Sequence, residues 1–310
     1  MILCVNANAA IDKTVVVRNF RLDVIQRPEG VRLSPGGKGC NVARALKRLG
    51  ATPVVTGWVG GYAGAFITDG LAAERIETAF IQVAPESRTC LSIVDPDNAT
   101  LTELYERGEP IEPVAVDRLK RWFGEKVGAF EAVVLSGSLP PGVPRDLYAE
   151  LITMARARGV FTGLDTSGEA LAQAIAAGPD LIKPNAHEFE ELLGHPLGSD
   201  SELAVAAREW AERTGGRVVV SLGSAGALAA GAEGVWLGTP PPIVVVSAVG
   251  SGDSLVAGCV LGLTRGLSLA ESLRCGVAAG TANALSLGAA QFTLEAYQQC
   301  LSEVRIQPLA

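Results

Sequence analysis

The chain has 310 residues, 48% of them hydrophobic and 19% charged, with a formal net charge of -7 at pH 7. That length accommodates one large α/β domain or two smaller ones, and the apolar content excludes a disordered chain. The acidic balance argues against a general nucleic-acid surface, and the apolar runs, of which residues 255–263 are among the longest, fall short of a membrane span.

From the N-terminus, the sequence turns polar at Asp12 and Lys13 with no basic leader and long apolar stretch before them, which predicts a cytoplasmic protein. Apolar, β-rich segments at 2–5, 54–59, 132–136, 160–164, 181–183 and 218–222 alternate with helical patterns. This is the signature of βα units stacked into a mostly parallel sheet. The first helix is predicted over 40–49, where Val42, Ala45, Leu46 and Leu49 repeat at helical spacing and Gly50 ends it; another, over 146–158, stops at Gly159. Two segments break the rhythm: 14–20, and 90–105 folded about Pro96-Asp97-Asn98. Both alternate like strands and together predict a small β lid, spanning about 12–35 and 88–107. No low-complexity linker or internal repeat divides the chain, which predicts one domain over 1–310. The six cysteines form no C-x-x-C pair, so neither a zinc site nor a disulfide framework is expected.

The most informative stretch is Ala248-Val249-Gly250-Ser251-Gly252-Asp253-Ser254-Leu255-Val256-Ala257-Gly258. Two glycines leave amides open where a helix begins, and one carboxylate sits on its first turn. A helix N-terminus can hold an oxyanion or a phosphate while Asp253 accepts a proton nearby. That pairing suits phosphoryl transfer to a hydroxyl, although simple capping reads the same way. The dinucleotide fingerprint fails because Leu255 stands where its third glycine belongs, and a Walker loop fails because Gly39 follows Gly37-Lys38 and position 32 is Arg.

A second glycine-dense cluster, Ser34-Pro35-Gly36-Gly37-Lys38-Gly39-Cys40-Asn41, lies directly before the first helix. Its glycines permit close approach to a ligand, Lys38 offers charge to a phosphate, and Asn41 can bond sugar hydroxyls; a flexible loop is the plainer reading. Asp12, expected just after the first strand, could accept from two adjacent hydroxyls or serve as a turn residue. Arg88, at the entry of the lid, would form a phosphate clamp with Lys38 if the fold brings them together. Lys183-Pro184-Asn185-Ala186-His187-Glu188 follows a strand and opens a helix. There Asn185 and Glu188 could hold Mg and its waters near nucleotide phosphates, and the same spacing suits a cap. Ser221-Leu222-Gly223 ends a strand where a hydroxyl and an amide could meet a phosphate. His187 and His195 have no partners at metal-ligand spacing, and no G-x-S-x-G elbow supports a hydrolase.

In order and joint occurrence these pieces resemble the PfkB carbohydrate kinases, relatives of ribokinase. The resemblance rests on Ala10-Ile11-Asp12, Gly36-Gly37-Lys38-Gly39 with Asn41, Ser136-Gly137-Ser138-Leu139-Pro140, Lys183-Pro184-Asn185 with Glu188, Ser221-Leu222-Gly223 and Gly250-Ser251-Gly252-Asp253. Thr102-Glu103-Leu104 with Gly108, and the run from Asp165 to Leu171, look like the 1-phosphofructokinase and tagatose-6-phosphate kinase branch. Two positions depart from the pattern: Asn6-Ala7-Asn8 where Leu-Asn-Pro is commoner, and Ser251 within Gly-Ser-Gly-Asp where Ala is commoner.

The resemblance implies an α/β fold, a ribokinase-like three-layer sandwich with a mostly parallel central sheet and a small β lid. It implies ATP and Mg2+ as cofactors and a phosphosugar acceptor: fructose 1-phosphate or tagatose 6-phosphate converted to the 1,6-bisphosphate. A 6-phosphofructokinase, or a kinase of an unphosphorylated sugar or nucleoside, is the alternative. Asp253 would be the general base, and the amides of Gly250, Ser251, Gly252 and Asp253 the anion hole. Asp12, Gly37, Lys38, Asn41, Arg88 and Ser136 would bind substrate. Lys183, Asn185, Ser221, Gly223 and Gly226 would reach the nucleotide, with Val245, Ser247, Val277, Thr281 and Asn283 nearer the adenine, and Glu188 would hold Mg2+ through water. The branch implies a homodimer joined through the lid.

Overall fold

A computed structural model describes residues 1–309. The strands are β1 (Ile2–Asn6), β2 (Ala10–Val16), β3 (Gly30–Gly36), β4 (Pro53–Gly60), β5 (Glu77–Val83), β6 (Arg88–Asp95), β7 (Thr100–Tyr105), β8 (Ala132–Ser136), β9 (Phe161–Asp165), β10 (Leu181–Ile182), β11 (Arg217–Ser221), β12 (Ala227–Gly231), β13 (Gly234–Thr239) and β14 (Arg305–Leu309). The α-helices are α1 (Lys38–Arg48), α2 (Gly61–Ala73), α3 (Pro113–Lys126), α4 (Leu147–Arg156), α5 (Gly168–Ile175), α6 (Ala186–Leu193), α7 (Asp200–Thr214), α8 (Ser251–Thr264), α9 (Leu269–Ala284) and α10 (Leu294–Glu303).

Ten strands form one sheet in the order β14-β13-β12-β11-β10-β9-β8-β1-β4-β5, parallel from β11 to β5 and antiparallel from β11 to β14. Strands buried on both faces read as continuous apolar runs, and their alternate residues feed two cores. Leu3, Val5, Val133, Leu135, Val218 and Val220 pack with helices α3 to α7, whereas Ile2, Cys4, Ala132, Val134 and Val219 pack with α1, α2, α8, α9 and α10. The result is a three-layer sandwich of the ribokinase-like kind. The six strands predicted for the large sheet and the two predicted helices stand within two residues of their expected bounds. The antiparallel extension β12 to β14 was not expected; its outermost strand carries Pro308, which an edge tolerates because no neighbour needs the missing N–H.

A second sheet has the order β3-β2-β6-β7. Strand β2 pairs antiparallel with β3 and parallel with β6, and β6 turns back into β7. Val15, Val17 and Ile93 form its small core with Phe20 and Leu91. The expected lid strand at 14–20 is shifted: β2 starts at Ala10, so Asp12 lies inside it, opposite Ser34 and Cys90, rather than just past the first strand. Ser34-Pro35-Gly36, for which a flexible loop is the alternative reading, ends strand β3, where the edge position again accepts proline.

Candidate active site

The parallel strands deliver polar residues to the carboxyl edge of the large sheet, where open α/β sheets take their ligands. Asn6, Ser136 and Asp165 end β1, β8 and β9 side by side in register, and Lys183 follows β10. Asp165 is buried, and its Oδ1 accepts from Lys38 Nζ at 3.2 Å and Lys183 Nζ at 3.3 Å. Burial pushes this carboxyl up, but the two ammonium groups outweigh it and hold Asp165 below the usual carboxylate range. The Asp165 carboxylate in turn raises the Lys38 ammonium against its own burial. Oδ2 of Asp165 and Oγ of Ser136 are buried without a hydrogen-bond partner among the described residues.

Helix α8 points its N-terminus into this cluster. Gly250 is its N-cap in a left-handed conformation (φ 82°), and a Cβ there would lie 2.6 Å from that of Ala289. The Ser251 N–H donates to the Ala248 carbonyl at 3.1 Å, and the Ser254 N–H to Gly250 at 2.9 Å. The amides of Gly252 and Asp253 have no backbone acceptor. Of the four amides expected in an anion hole, that of Ser251 is therefore already bonded. Asp253 is buried, and Asn41 Nδ2 donates to its Oδ2 at 2.9 Å. Burial raises its carboxyl to about 6; Asp165 adds to this, while Lys38, the Asn41 bond and Lys183 oppose it.

The second glycine cluster turns from β3 into α1. Gly36 faces Asp12 so closely that a Cβ would fall 2.1 Å from the carboxyl carbon. Gly37 caps α1 at φ 90° against the Asn6 side chain. Asn6 fixes this turn from beneath, donating to the Gly36 carbonyl at 3.1 Å and accepting from the Gly39 N–H at 3.3 Å. Burial first, then the facing Asp253, raises Asp12 to about 6, opposed by Arg44, Arg88 and the Gly37 N–H. Asp12 and Asp253 therefore share one enclosure.

Lys38 and Arg88 are not joined. Lys38 is engaged by Asp165, whereas Arg88 donates from Nε to the Asn8 carbonyl (3.3 Å) and from Nη1 to the Glu106 carbonyl (2.8 Å). With Glu86, Ser87, Glu106, Arg107, Gly108 and Glu109, Arg88 lines a cleft of about 300 Å³ at the foot of the lid. The Ser136 hydroxyl is buried; Ser138, two residues on, is exposed and accepts from Asn8 Nδ2 at 3.2 Å.

On the other side, Asn185 and Glu188 form a reciprocal capping box on α6: Glu188 N–H donates to Asn185 Oδ1, and Asn185 N–H to Glu188 Oε2, both at 2.8 Å. Of the two readings open from the spacing, the cap is the geometry present. It leaves Glu188 Oε1 without a hydrogen bond in the chain and close enough to Lys38 to raise it. Ser221 bridges to Asn185, and Gly223 (φ 59°) faces open space, but Gly226 is wedged so that a Cβ would meet the Gly238 carbonyl at 2.0 Å. Among the residues expected near the adenine, Val245 is exposed, Ser247 accepts from Val249 N–H, and Val277 and Thr281 are nearly covered on α9. Asn283 is completely buried. It donates to Val249 O (2.9 Å) and Ser251 Oγ (3.0 Å) and accepts from Ala290 N–H, which makes it a brace for the α8 N-terminus rather than an open contact.

Three participants carry no motif of their own in the sequence reading. Asn8 reaches Arg107 and Ser138, Glu74 caps α2, and Arg44 is a buried arginine on α1. Asn41 and Arg44, three apart within the otherwise apolar buried stretch 39–46 of α1, are the signal that a charged side chain there has an internal partner.

The pfkB family carbohydrate kinase profile matches residues 3–296. 1-Phosphofructokinase of Rhodobacter capsulatus is 39% identical over 290 residues, covering 93% of this chain and 90% of that protein. Tagatose-6-phosphate kinase of Staphylococcus epidermidis is 31% identical over 309 residues, 99% of each. The crystal structure of phosphofructokinase-2 from Escherichia coli in complex with fructose-6-phosphate superposes with a TM-score of 0.89 at 31% identity, covering 97% of this chain and 98% of that one. A ribokinase-like sandwich bearing a carboxylate at an open helix N-terminus is the frame of an ATP-dependent sugar kinase. The chain belongs to the pfkB family of carbohydrate kinases.

Proposed function

We propose that the chain transfers the γ-phosphoryl group of ATP to a hydroxyl of a ketohexose phosphate, fructose 1-phosphate or tagatose 6-phosphate, giving the 1,6-bisphosphate. The observation that carries this reading is Asp253, buried on the first turn of α8 beside the unbonded amides of Gly252 and itself. The activities for which the 39% and 31% identical relatives are named point to the same acceptor class.

In this reading the acceptor lies under the lid with its hydroxyls on Asp12 and its phosphate at Arg88. Asp253 takes the proton through Oδ1, since Asn41 occupies Oδ2. The freed oxygen attacks the γ-phosphorus, the bond to the bridging oxygen breaks, and ADP leaves. The amides of Gly252 and Asp253, with Lys38, meet the charge on the transferring group, the larger part of phosphoryl-transfer catalysis. Asp165 holds Lys38 and Lys183 in place and keeps Lys38 charged.

The described residues hold no cluster of three metal-ligating side chains, yet Glu188 has an unengaged oxygen and Asp165 an orphaned one. That donor set fits a Mg2+ ion carried on the nucleotide phosphates and reached from Glu188 through water. Bound there, the ion supplies neutralisation of β- and γ-phosphate charge.

The test is ADP release from MgATP with fructose 1-phosphate, tagatose 6-phosphate, fructose 6-phosphate, fructose and ribose. Turnover concentrated on fructose 1-phosphate or tagatose 6-phosphate is expected; turnover on free sugars alone overturns the phosphosugar assignment.

A further inference from the structure

Arg44 is 2% exposed, and all its donors have acceptors. Nε and Nη2 grip the two oxygens of Glu74 at 2.6 and 3.0 Å, Nη2 also reaches the Pro35 carbonyl at 3.0 Å, and Nη1 reaches the Ala289 carbonyl at 3.3 Å and Asn41 Oδ1 at 3.1 Å. One planar group thus ties the root of β3, helix α1, the end of α2 and the loop that packs on Gly250. A guanidinium is built for such simultaneous, directional bonding, and an ammonium cannot replace it.

The contact with Asn41 has a chemical consequence. An amide presents an oxygen on one side and an NH2 on the other, and its partner decides which way it faces. Because Arg44 can only donate, Asn41 must turn its oxygen to Arg44 and its NH2 to Asp253. A flipped amide would set an oxygen against the carboxylate. We infer that Arg44, locked in place by Glu74, is a positioning residue for phosphoryl transfer: through Asn41 it fixes the Asp253 carboxylate so that one oxygen is held and the other faces the acceptor hydroxyl. This rests on the reading of Asp253 as the base.

The experiment is a double-mutant cycle on kcat with MgATP and fructose 1-phosphate, using Arg44→Met, Asn41→Ala and the pair. Misplacing a reacting group by an ångström costs roughly a hundredfold, so Arg44→Met is expected to lower kcat roughly tenfold to a hundredfold with little change in the KM for ATP. In the Asn41→Ala background the same change is expected to cost less than about twofold, since the path it acts through is already cut. Equal losses in both backgrounds overturn the relay. Both single variants should also move the acid limb of the kcat profile to higher pH, as Asp253, which also faces Lys38, Lys183, Asp165 and Asp12, loses its donor; an unmoved limb counts against it.

If Arg44→Met does not fold, Glu74→Ala answers at the more exposed end of the fork: the buried guanidinium loses its carboxylate and the melting temperature falls, but kcat measured well below that temperature should still drop. A fall in melting temperature with kcat intact makes the pair structural only. Asp253→Asn run alongside separates the two failures: if it stays active the base assignment is wrong, and if it is inactive while the cycle is additive only the relay is wrong.

Discussion

Gly250 and Ala289 meet so closely that a β-carbon on Gly250 would lie 2.6 Å from the Cβ of Ala289 and 2.7 Å from its Cα. Gly250 is also the left-handed N-cap of the helix that carries Asp253. Gly250→Ala therefore meets two obstacles, positive φ and a backbone-level clash, and neither yields by rotating a side chain. Turnover should drop at least roughly tenfold and the melting temperature should fall. A variant with normal kcat would show that the start of α8 need not be held against the 285–290 loop.

Asp253→Asn separates chemistry from stability. A positioned base contributes roughly 10²- to 10⁴-fold, and the loss in kcat should fall in that range or beyond. In the wild type, kcat should decline as pH falls through about 6, the value to which burial raises Asp253. The stability effect has the opposite sense. A carboxyl raised in the folded state, from 3.8 to about 6, imposes no cost when protonated, and its cost grows as pH rises through that interval to on the order of 3 kcal/mol above it. Asp253→Asn should thus melt above the wild type at pH 8 and match it near pH 4. Equal melting temperatures at both pH values would mean that the carboxylate is not strained by its burial.

The two lysines on Asp165 should behave differently. The Lys183 side chain is 5% exposed and that of Lys38 is 40% exposed. Removing Lys183 leaves the buried Asp165 with Lys38 as its remaining ion-pair partner and no water to replace the lost ammonium, at up to roughly 3 kcal/mol, whereas water can replace part of Lys38. Lys183→Met should therefore destabilise more than Lys38→Met, read as denaturation midpoints. Lys38→Met should be the more harmful to kcat, because Lys38 also faces Asp253 and Glu188. A reversed order in either measurement would exchange their roles.

Much of this arrangement is legible in the sequence because glycine patterns mark where backbone must approach something. Gly250 and Gly252 announce the α8 entrance, and Gly36 and Gly37 announce the turn over Asp12 and Asn6. Apolar runs of strand length place the parallel sheet. What escapes is what long side chains decide. Lys38 has an ordinary place in its motif, and only the fold shows it turned to Asp165 rather than toward Arg88. Asn283 reads as a polar residue on a nucleotide-side helix, yet its amide faces inward to Val249, Ser251 and Ala290. The antiparallel strands β12 to β14 escape for another reason: β12, Ala-Leu-Ala-Ala-Gly, carries little β-propensity, and Pro308 in β14 argues against a strand anywhere but at an edge.

Arg88 tests the acceptor. Its guanidinium is held by two carbonyls and, among the described residues, forms no salt bridge, although Asp12 feels its charge and Glu86, Glu106 and Glu109 line the same cleft under the lid. A charge-assisted bond to a phosphate is among the stronger single contacts a site can make. Arg88→Ala should raise the KM for a phosphosugar roughly tenfold or more while changing any residual turnover of free fructose by less than about threefold. Equal losses on both would remove Arg88 from phosphate recognition.

The lid bears on assembly. In the register of β3, β2, β6 and β7, Val31 lies beside Val15 and Ile93, and Leu33 lies beside Lys13, Leu91 and Leu104, all on one face. Val31, Leu33 and Leu104 are 59%, 48% and 59% exposed on that face. A largely apolar sheet face of this kind, interrupted by Lys13, marks an interaction surface, and a second copy of the same lid would cover it with matching chemistry. We propose a homodimer joined there. Leu33→Asp with Leu104→Asp should shift the sedimentation coefficient from dimer to monomer at micromolar concentration while leaving the far-ultraviolet spectrum unchanged. Persistence of the dimer in that variant, or a monomeric wild type, would place the subunit contact elsewhere or remove it.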